Sequence, residues 1–242
     1  MKIFDSHFHL IDPQFPLFEN QGFLPKPFLL SDYQKWMEKL EIQGGALVSG
    51  SFQQFDTSYL SHFLPKLGPQ FYGVAQLPAS ISDEEIMRLN QAGVRAVRFN
   101  VKRGGSESLE ELEKMAHRVY DLARWHVELY IDAKDLPSLN LPKVSIDHLG
   151  LSAEGLPSLL KWVERGARVK ATGFGRLNCN PLPLLQQIHQ VNPEALMFGT
   201  DLPSTRAKRP FELKDVELIL QNFLQEDYER LLWENGISFY ST

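Results

Sequence analysis

The chain is poor in cysteine: Cys179 is the single one in 242 residues, so no internal disulfide can staple it. Its stability has to come from a buried core, and a reducing compartment is compatible with it. Long hydrophobic runs are missing too. No apolar stretch approaches the ~18 residues that a bilayer span requires, so no membrane partner is expected. Basic residues are outnumbered, 25 Lys and Arg against 30 Asp and Glu, for a formal charge of −5. That balance leaves no cationic footprint for nucleic acid. The first residues lack a charged-then-apolar leader, which predicts no signal peptide and a cytoplasmic protein. No G-x-G-x-x-G follows the first apolar run, which disfavours a dinucleotide fold. Low-complexity tracts are absent as well. What remains is an ordinary globular composition, 43% hydrophobic and 23% charged.

Within that composition, short apolar runs recur at even intervals: 2–4, 46–48, 71–75, 96–99, 127–131, 144–146, 167–171 and 195–198. Runs this short, bounded by polar residues or glycine, fit buried parallel strands. Helix-like segments lie between them. Ser31-Asp32 caps one, and Ser82-Asp83-Glu84-Glu85 opens another that stops at Gly93. Segments 108–125, 157–165, 181–191, 214–224 and 227–233 follow. Eight strands alternating with helices predict an α/β fold, a (β/α)8 TIM barrel, as a single domain over 1–242. A doubly wound open sheet gives a similar alternation. The segment over residues 11–30, rich in Pro and Phe, would lie over the catalytic mouth of a barrel, as a mobile lid or as rim packing for Phe15, Phe18 and Phe23.

Barrel chemistry sits at the C-terminal ends of the strands, so the decisive question is what ends each run. The first ends in DSHFH, with His7 and His9 two apart and therefore on one face of a strand. The fourth ends in Arg98-Phe99-Asn100, the sixth in Asp147-His148-Leu149-Gly150, and the seventh in Lys170-Ala171-Thr172-Gly173 with Arg176 beyond. The eighth ends in Gly199-Thr200-Asp201. Each residue has a plainer reading: a satisfied structural histidine, a turn aspartate, a solvated loop arginine. Arg98 lies in an apolar strand and needs a partner, either a structural carboxylate or an anionic substrate. Lys170 reads better as an ion-pair member than as a catalyst. His62, His117, His126 and His189 fall on helix-like segments and read as surface or packing residues.

Taken in order, the histidine pair, RFN, IDHLG, GTD and the late Asn235 in LLWENGISFY resemble the amidohydrolase superfamily, and within it the amidohydrolase-2 group. The Pro- and Phe-containing loop FPLFENQGFLPKPF and the segment GVRAVRFNVKR are similar to those of 2-pyrone-4,6-dicarboxylate lactonases and related sugar lactonases. The resemblance implies a hydrolase that opens a small anionic cyclic ester. It implies Asp201 as the base that activates water, and His7, His9 and His148 as groups that polarise the carbonyl or hold the leaving group. It implies Arg98, Arg176 and Arg103 as carboxylate-binding residues, although the sequence is one residue shorter before Arg103 than the pattern expects.

The resemblance further implies chemistry without a required cofactor, since the fifth run, VELYIDA, offers no histidine ligand. A single zinc held by His7, His9 and Asp201 stays open from the residues alone. So do two other functions: a zinc-dependent decarboxylase or amide hydrolase of the same superfamily, and a barrel that only binds carboxylates. The expected partner is a small anionic molecule, and the expected state a monomer or homodimer.

Overall fold

The computed structural model describes residues 1–241. Eight parallel strands run in sequence order around a barrel: β1 (Ile3–Phe8), β2 (Ile42–Val48), β3 (Phe71–Ala75), β4 (Val94–Phe99), β5 (His126–Leu129), β6 (Val144–Ile146), β7 (Arg168–Ala171) and β8 (Leu196–Phe198). The ring closes just past its last strand: Phe8 bridges Leu202 in parallel, and His9 N–H donates to the Leu202 carbonyl at 2.8 Å. Helices α1 (Leu30–Leu40), α2 (Ser58–Leu67), α3 (Asp83–Gln91), α4 (Leu112–Ala123), α5 (Leu156–Glu164), α6 (Pro181–Val191), α7 (Leu213–Asn222), α8 (Gln225–Glu229) and α9 (Asn235–Tyr240) surround it. This is the (β/α)8 barrel that the alternation predicts, and the order of pairing excludes the doubly wound sheet. Among the described residues, no helix is long and apolar enough to cross a membrane.

The strands are buried almost throughout, which is why they read as continuous apolar runs. One large apolar cluster fills the space between barrel and helices, with Leu60, Ile86, Val119, Leu159, Ile188 and Ile219 pressed onto the strands. A smaller cluster plugs the lower part of the barrel: Phe4, Tyr72, Met197, Phe239 and Tyr240. Asn235 anchors this end, its amide donating to the carbonyls of Pro193 and Leu196 at 3.0 and 2.9 Å. In α1 the cap is set by Asp32, whose carboxylate accepts the Leu29 N–H at 3.1 Å.

The helix-like reading around His62 holds: 58–67 is helical, with Pro65 inside it, where proline normally ends a helix. Two local expectations need correction. β1 extends to Phe8, so His7 lies within the strand and His9 directly past it. His126 is not on a helix: α4 ends at Ala123, Arg124 turns the chain through φ 58°, and His126 already opens β5. The long segment after β1 folds back on itself through an Ile11–Phe28 bridge. Phe15 packs on the rim against Tyr59 and Phe63, Phe18 is exposed, and Phe23 reaches the cavity at the barrel mouth.

Candidate active site

The C-terminal ends of the strands surround a small cavity open to solvent, lined among others by His9, Arg98, Asn100, Arg103, His148 and Arg176. Phe23 and Arg206 close its outer side. They do so as a pair: the Arg206 guanidinium lies 4.4 Å from the Phe23 ring centre and bonds the side chain of Asn20 at 3.1 Å. A wider vestibule follows, bounded by Lys102, Arg103, Asp132, Arg206 and Lys208. The mouth is therefore cationic in a protein whose net charge is negative.

His7 and His9 come together as strand geometry requires, their rings edge to face at 5.0 Å. His148 comes to within 4.8 Å of His7 from the opposite side of the barrel. It is held by a backbone at φ 52°, a left-handed conformation that a residue with a side chain seldom adopts. Gly173 makes room for it, because a Cβ at that position would stand 2.5 Å from His148 Nδ1. Asp201 also has a positive φ, 61°, and its N–H is tied to the His7 carbonyl at 2.7 Å.

Two arginine–carboxylate pairs organise the charges. Arg98 donates to Asp147 Oδ2 through Nε and Nη2, at 3.1 and 2.7 Å, and to the Ser49 carbonyl at 2.8 Å. Its buried partner is thus a carboxylate of the chain itself, while its side chain still forms part of the cavity wall. Arg176 grips Asp201 with both ends, Nε to Oδ2 at 2.7 Å and Nη2 to Oδ1 at 2.9 Å. Burial would raise the proton affinity of Asp147, but Arg98 and Lys170 outweigh it and bring its carboxyl below the ordinary range. At Asp201 burial wins over Arg176, and the carboxyl stays above the ordinary range.

Beneath the histidines lies a second layer that sequence reasoning largely missed. Lys170 Nζ is 2.6 Å from Glu128 Oε2, 3.7 Å from Asp147 Oδ1 and 3.4 Å from His7 Nδ1, all fully buried. Glu128 also accepts from the Tyr240 hydroxyl and lies 3.0 Å from His126 Nε2. Lys170 is thus the ion-pair member expected of it. Glu128 could have been noticed as a lone acid within an apolar strand, the same signal that drew attention to Arg98. Arg206 carried no comparable signal.

The candidate residues therefore converge, though not on one surface. His9, His148, Arg98, Arg103 and Arg176 line the cavity, whereas His7 and Asp201 lie buried, outside its lining. Burial lowers the proton affinity of all three histidines, His9 to about 3, so the rings are neutral. Among the described residues Arg103 pairs with no carboxylate, and its Nε is a buried donor without an acceptor.

The amidohydrolase family matches residues 4–241, almost the whole described chain. The chain belongs to the amidohydrolase family. A 2-pyrone-4,6-dicarboxylate hydrolase of Comamonas testosteroni is 28% identical over 237 residues, covering 84% of this chain and 77% of the relative. A 4-sulfomuconolactone hydrolase of Rhizobium radiobacter is 24% identical over 236 residues, covering 87% and 79%. Among solved structures, the probable 2-pyrone-4,6-dicarboxylic acid hydrolase of Acinetobacter baumannii, with citric acid bound, has the same fold at a TM-score of 0.82 and 20% identity, covering 100% of both chains.

By type and spacing this amidohydrolase has two groups that could hold a metal: His7, His9 and Asp201, and His7, Asp147 and His148, with ligand atoms within 4.8 Å of one another. The contacts already made by these atoms compete with such use. Both Asp201 oxygens are bonded by Arg176, and His9 Nδ1 is 2.7 Å from the Val48 carbonyl, which leaves that ring with Nε2 alone to offer.

Proposed function

We propose that this amidohydrolase is a lactonase that opens a small anionic cyclic ester with water activated by Asp201. The observation that carries the reading is the Arg176–Asp201 pair beside a cavity lined by further cations. A carboxylate held by a guanidinium is a poor base. An anionic substrate entering this cavity competes for Arg176, and Asp201, freed in a water-poor setting, gains proton affinity when a substrate is present. The relatives named as acting on 2-pyrone-4,6-dicarboxylate and 4-sulfomuconolactone support an anionic lactone as the substrate class.

In the proposed ring opening the water oxygen adds to the lactone carbonyl carbon and its proton passes to Asp201. The carbonyl oxygen, now negative, faces the histidine cluster of His7, His9 and His148 and the charge of Arg98. The ring C–O bond then breaks, and the proton on Asp201 is available to the departing oxygen. Arg176 and Arg103 bind substrate carboxylates. We propose further that no metal is required. Besides burial, Lys170, Arg98 and Arg176 depress the proton affinity of His7, and a field that repels a proton there also repels a divalent cation.

The test is hydrolysis of 2-pyrone-4,6-dicarboxylate and related lactones by protein treated with a chelator and analysed for metal. Turnover should persist. Loss of turnover that added zinc restores would move the assignment to a zinc-dependent hydrolase or decarboxylase. Thermal stabilisation by dicarboxylic lactones without turnover would make the barrel a carboxylate binder.

A further inference from the structure

His7 is the most connected and least accessible of the three site histidines. Its Nδ1 has two candidate partners of opposite character. Lys170 Nζ stands at 3.4 Å and can only donate; Asp147 Oδ1 stands at 3.5 Å and can only accept. Whichever engages the ring decides its tautomer. If Lys170 donates, Nδ1 is the acceptor and the proton sits on Nε2. If Asp147 accepts, the proton sits on Nδ1 and Nε2 becomes a lone pair, the form that binds metal.

The surroundings favour Lys170. Its ammonium is fixed at 2.6 Å to Glu128, which is itself held by Tyr240 and His126, so it has no freedom to turn away. Asp147 has already committed its Oδ2 to two nitrogens of Arg98, and its Oδ1, 3.7 Å from Lys170 Nζ, faces that same ammonium as well as the ring. On the other edge of the ring, Nε2 is a buried atom with no partner, and its nearest acidic atom is Asp201 Oδ1 at 4.0 Å. A proton on Nε2 thus faces an acceptor that Arg176 now occupies, across a gap that a shift of about 1 Å would close to hydrogen-bond distance.

We propose that Lys170 is a positioning residue that locks His7 in its Nε2–H tautomer, making the ring a hydrogen-bond donor toward Asp201 and closing it as a metal ligand. The role follows from three contacts around one ring and goes beyond the lactonase reading, since it concerns the resting protein without substrate. Lys170 touches neither the cavity nor Asp201; besides His7 it reaches the site only through Asp147, the partner of Arg98.

The test is nitrogen NMR of histidine-labelled protein, with the His7 signals assigned by loss in His7→Gln. In the wild type, Nε2 should resonate as a protonated nitrogen and Nδ1 as an unprotonated one. The reverse pattern overturns the proposal, and this measurement needs no variant of Lys170. The double variant Lys170→Met with Glu128→Gln removes the donor without stranding a buried acid. It should flip the His7 tautomer, with Nδ1–H turned to Asp147, and bind zinc at least tenfold more tightly than wild type by calorimetry. A folded double variant that keeps the wild-type tautomer overturns the proposal, and unchanged zinc affinity overturns its metal half. A protein that fails to hydrolyse any lactone while showing the expected tautomer would refute the lactonase reading alone.

Discussion

The two sides of the barrel mouth carry the same ion pair in different settings. On the β4–β6 side, Arg98 and Asp147 are both rooted at strand ends, both almost fully buried, and braced by Ser49 and Lys170. On the β7–β8 side, Arg176 and Asp201 stand on the segments that follow the strands, one in a short helical turn and the other at a positive φ. Asp147 is held below the ordinary carboxylate range and Asp201 above it. The first pair is a strut: Arg98 lines the cavity too, but the strands fix both members, and the Ser49 carbonyl and Lys170 hold them from behind. The second is a latch: Arg176 lines the cavity from a turn, and under the proposed function an anion there competes for it. Under the proposed function, one kind of ion pair thus serves stability where strands fix it and reactivity where turns carry it.

The sharpest way to break this comparison is to remove the proposed base. Asp201→Asn should lower kcat for lactone hydrolysis by about 10²–10⁴-fold, the usual range for a general base. Activity close to wild type would strip Asp201 of that role and make both pairs structural. Next comes Asp147→Ala, which strands Arg98 in the interior. It should destabilise by about 3–5 kcal/mol, the cost of breaking a buried pair, measured by urea denaturation. Arg176→Met should cost less stability than that and instead raise KM for a dicarboxylic lactone about tenfold. If the two substitutions proved equally destabilising, the distinction between strut and latch would fail.

Acidity offers a third measurement. Burial pushes His9 down to about 3 and His126 down to about 4, from the ordinary 6.5 of an unfolded histidine. Between those values the unfolded chain takes up protons that the folded chain refuses. The stability involved is complete above pH 6.5 and falls as pH drops through the folded values. His7 and His148 act in the same direction. Asp5, raised by burial from 3.8 to about 6, acts in the opposite one: its contribution is full below 3.8 and is lost as pH rises through about 6. Asp201, also raised, acts with Asp5, and four histidines against these two aspartates give a urea midpoint that should fall between about pH 7 and pH 5. His9→Gln should flatten that slope, and an unchanged slope would mean that the ring is not held neutral. The smallest effect belongs to the roof: Phe23→Ala should change KM by a few-fold and stability by less than about 1 kcal/mol, since Phe23 is only partly buried.

Much of this arrangement could be read from the amino-acid order. The barrel was legible because the strands are buried on both faces and therefore largely apolar, as in 46–48 and 71–75. His7 and His9 were legible because a strand repeats every two residues. β5 was harder: only two residues separate the last turn of α4 from His126, so the helical spacing runs into the strand without a visible break. The partner of Arg98 was out of reach for another reason. Asp147 is 49 residues away, and no local spacing says which of several strand-end acids will face a given arginine. Likewise, the pairing of Arg176 with Asp201 was invisible, although both residues were candidates, because it depends on where two loops settle.

Those two loops meet at Gly175. A single methyl group there would intrude to 1.9 Å of the Arg209 carbonyl. The smallest possible side chain would act as a crowbar between the turn bearing Arg176 and the segment that descends from Asp201. Selection for or against the ion pair could then work through a residue that carries no charge and takes no part in any reaction. Replacing that one hydrogen would part Arg176 from Asp201 without altering either residue.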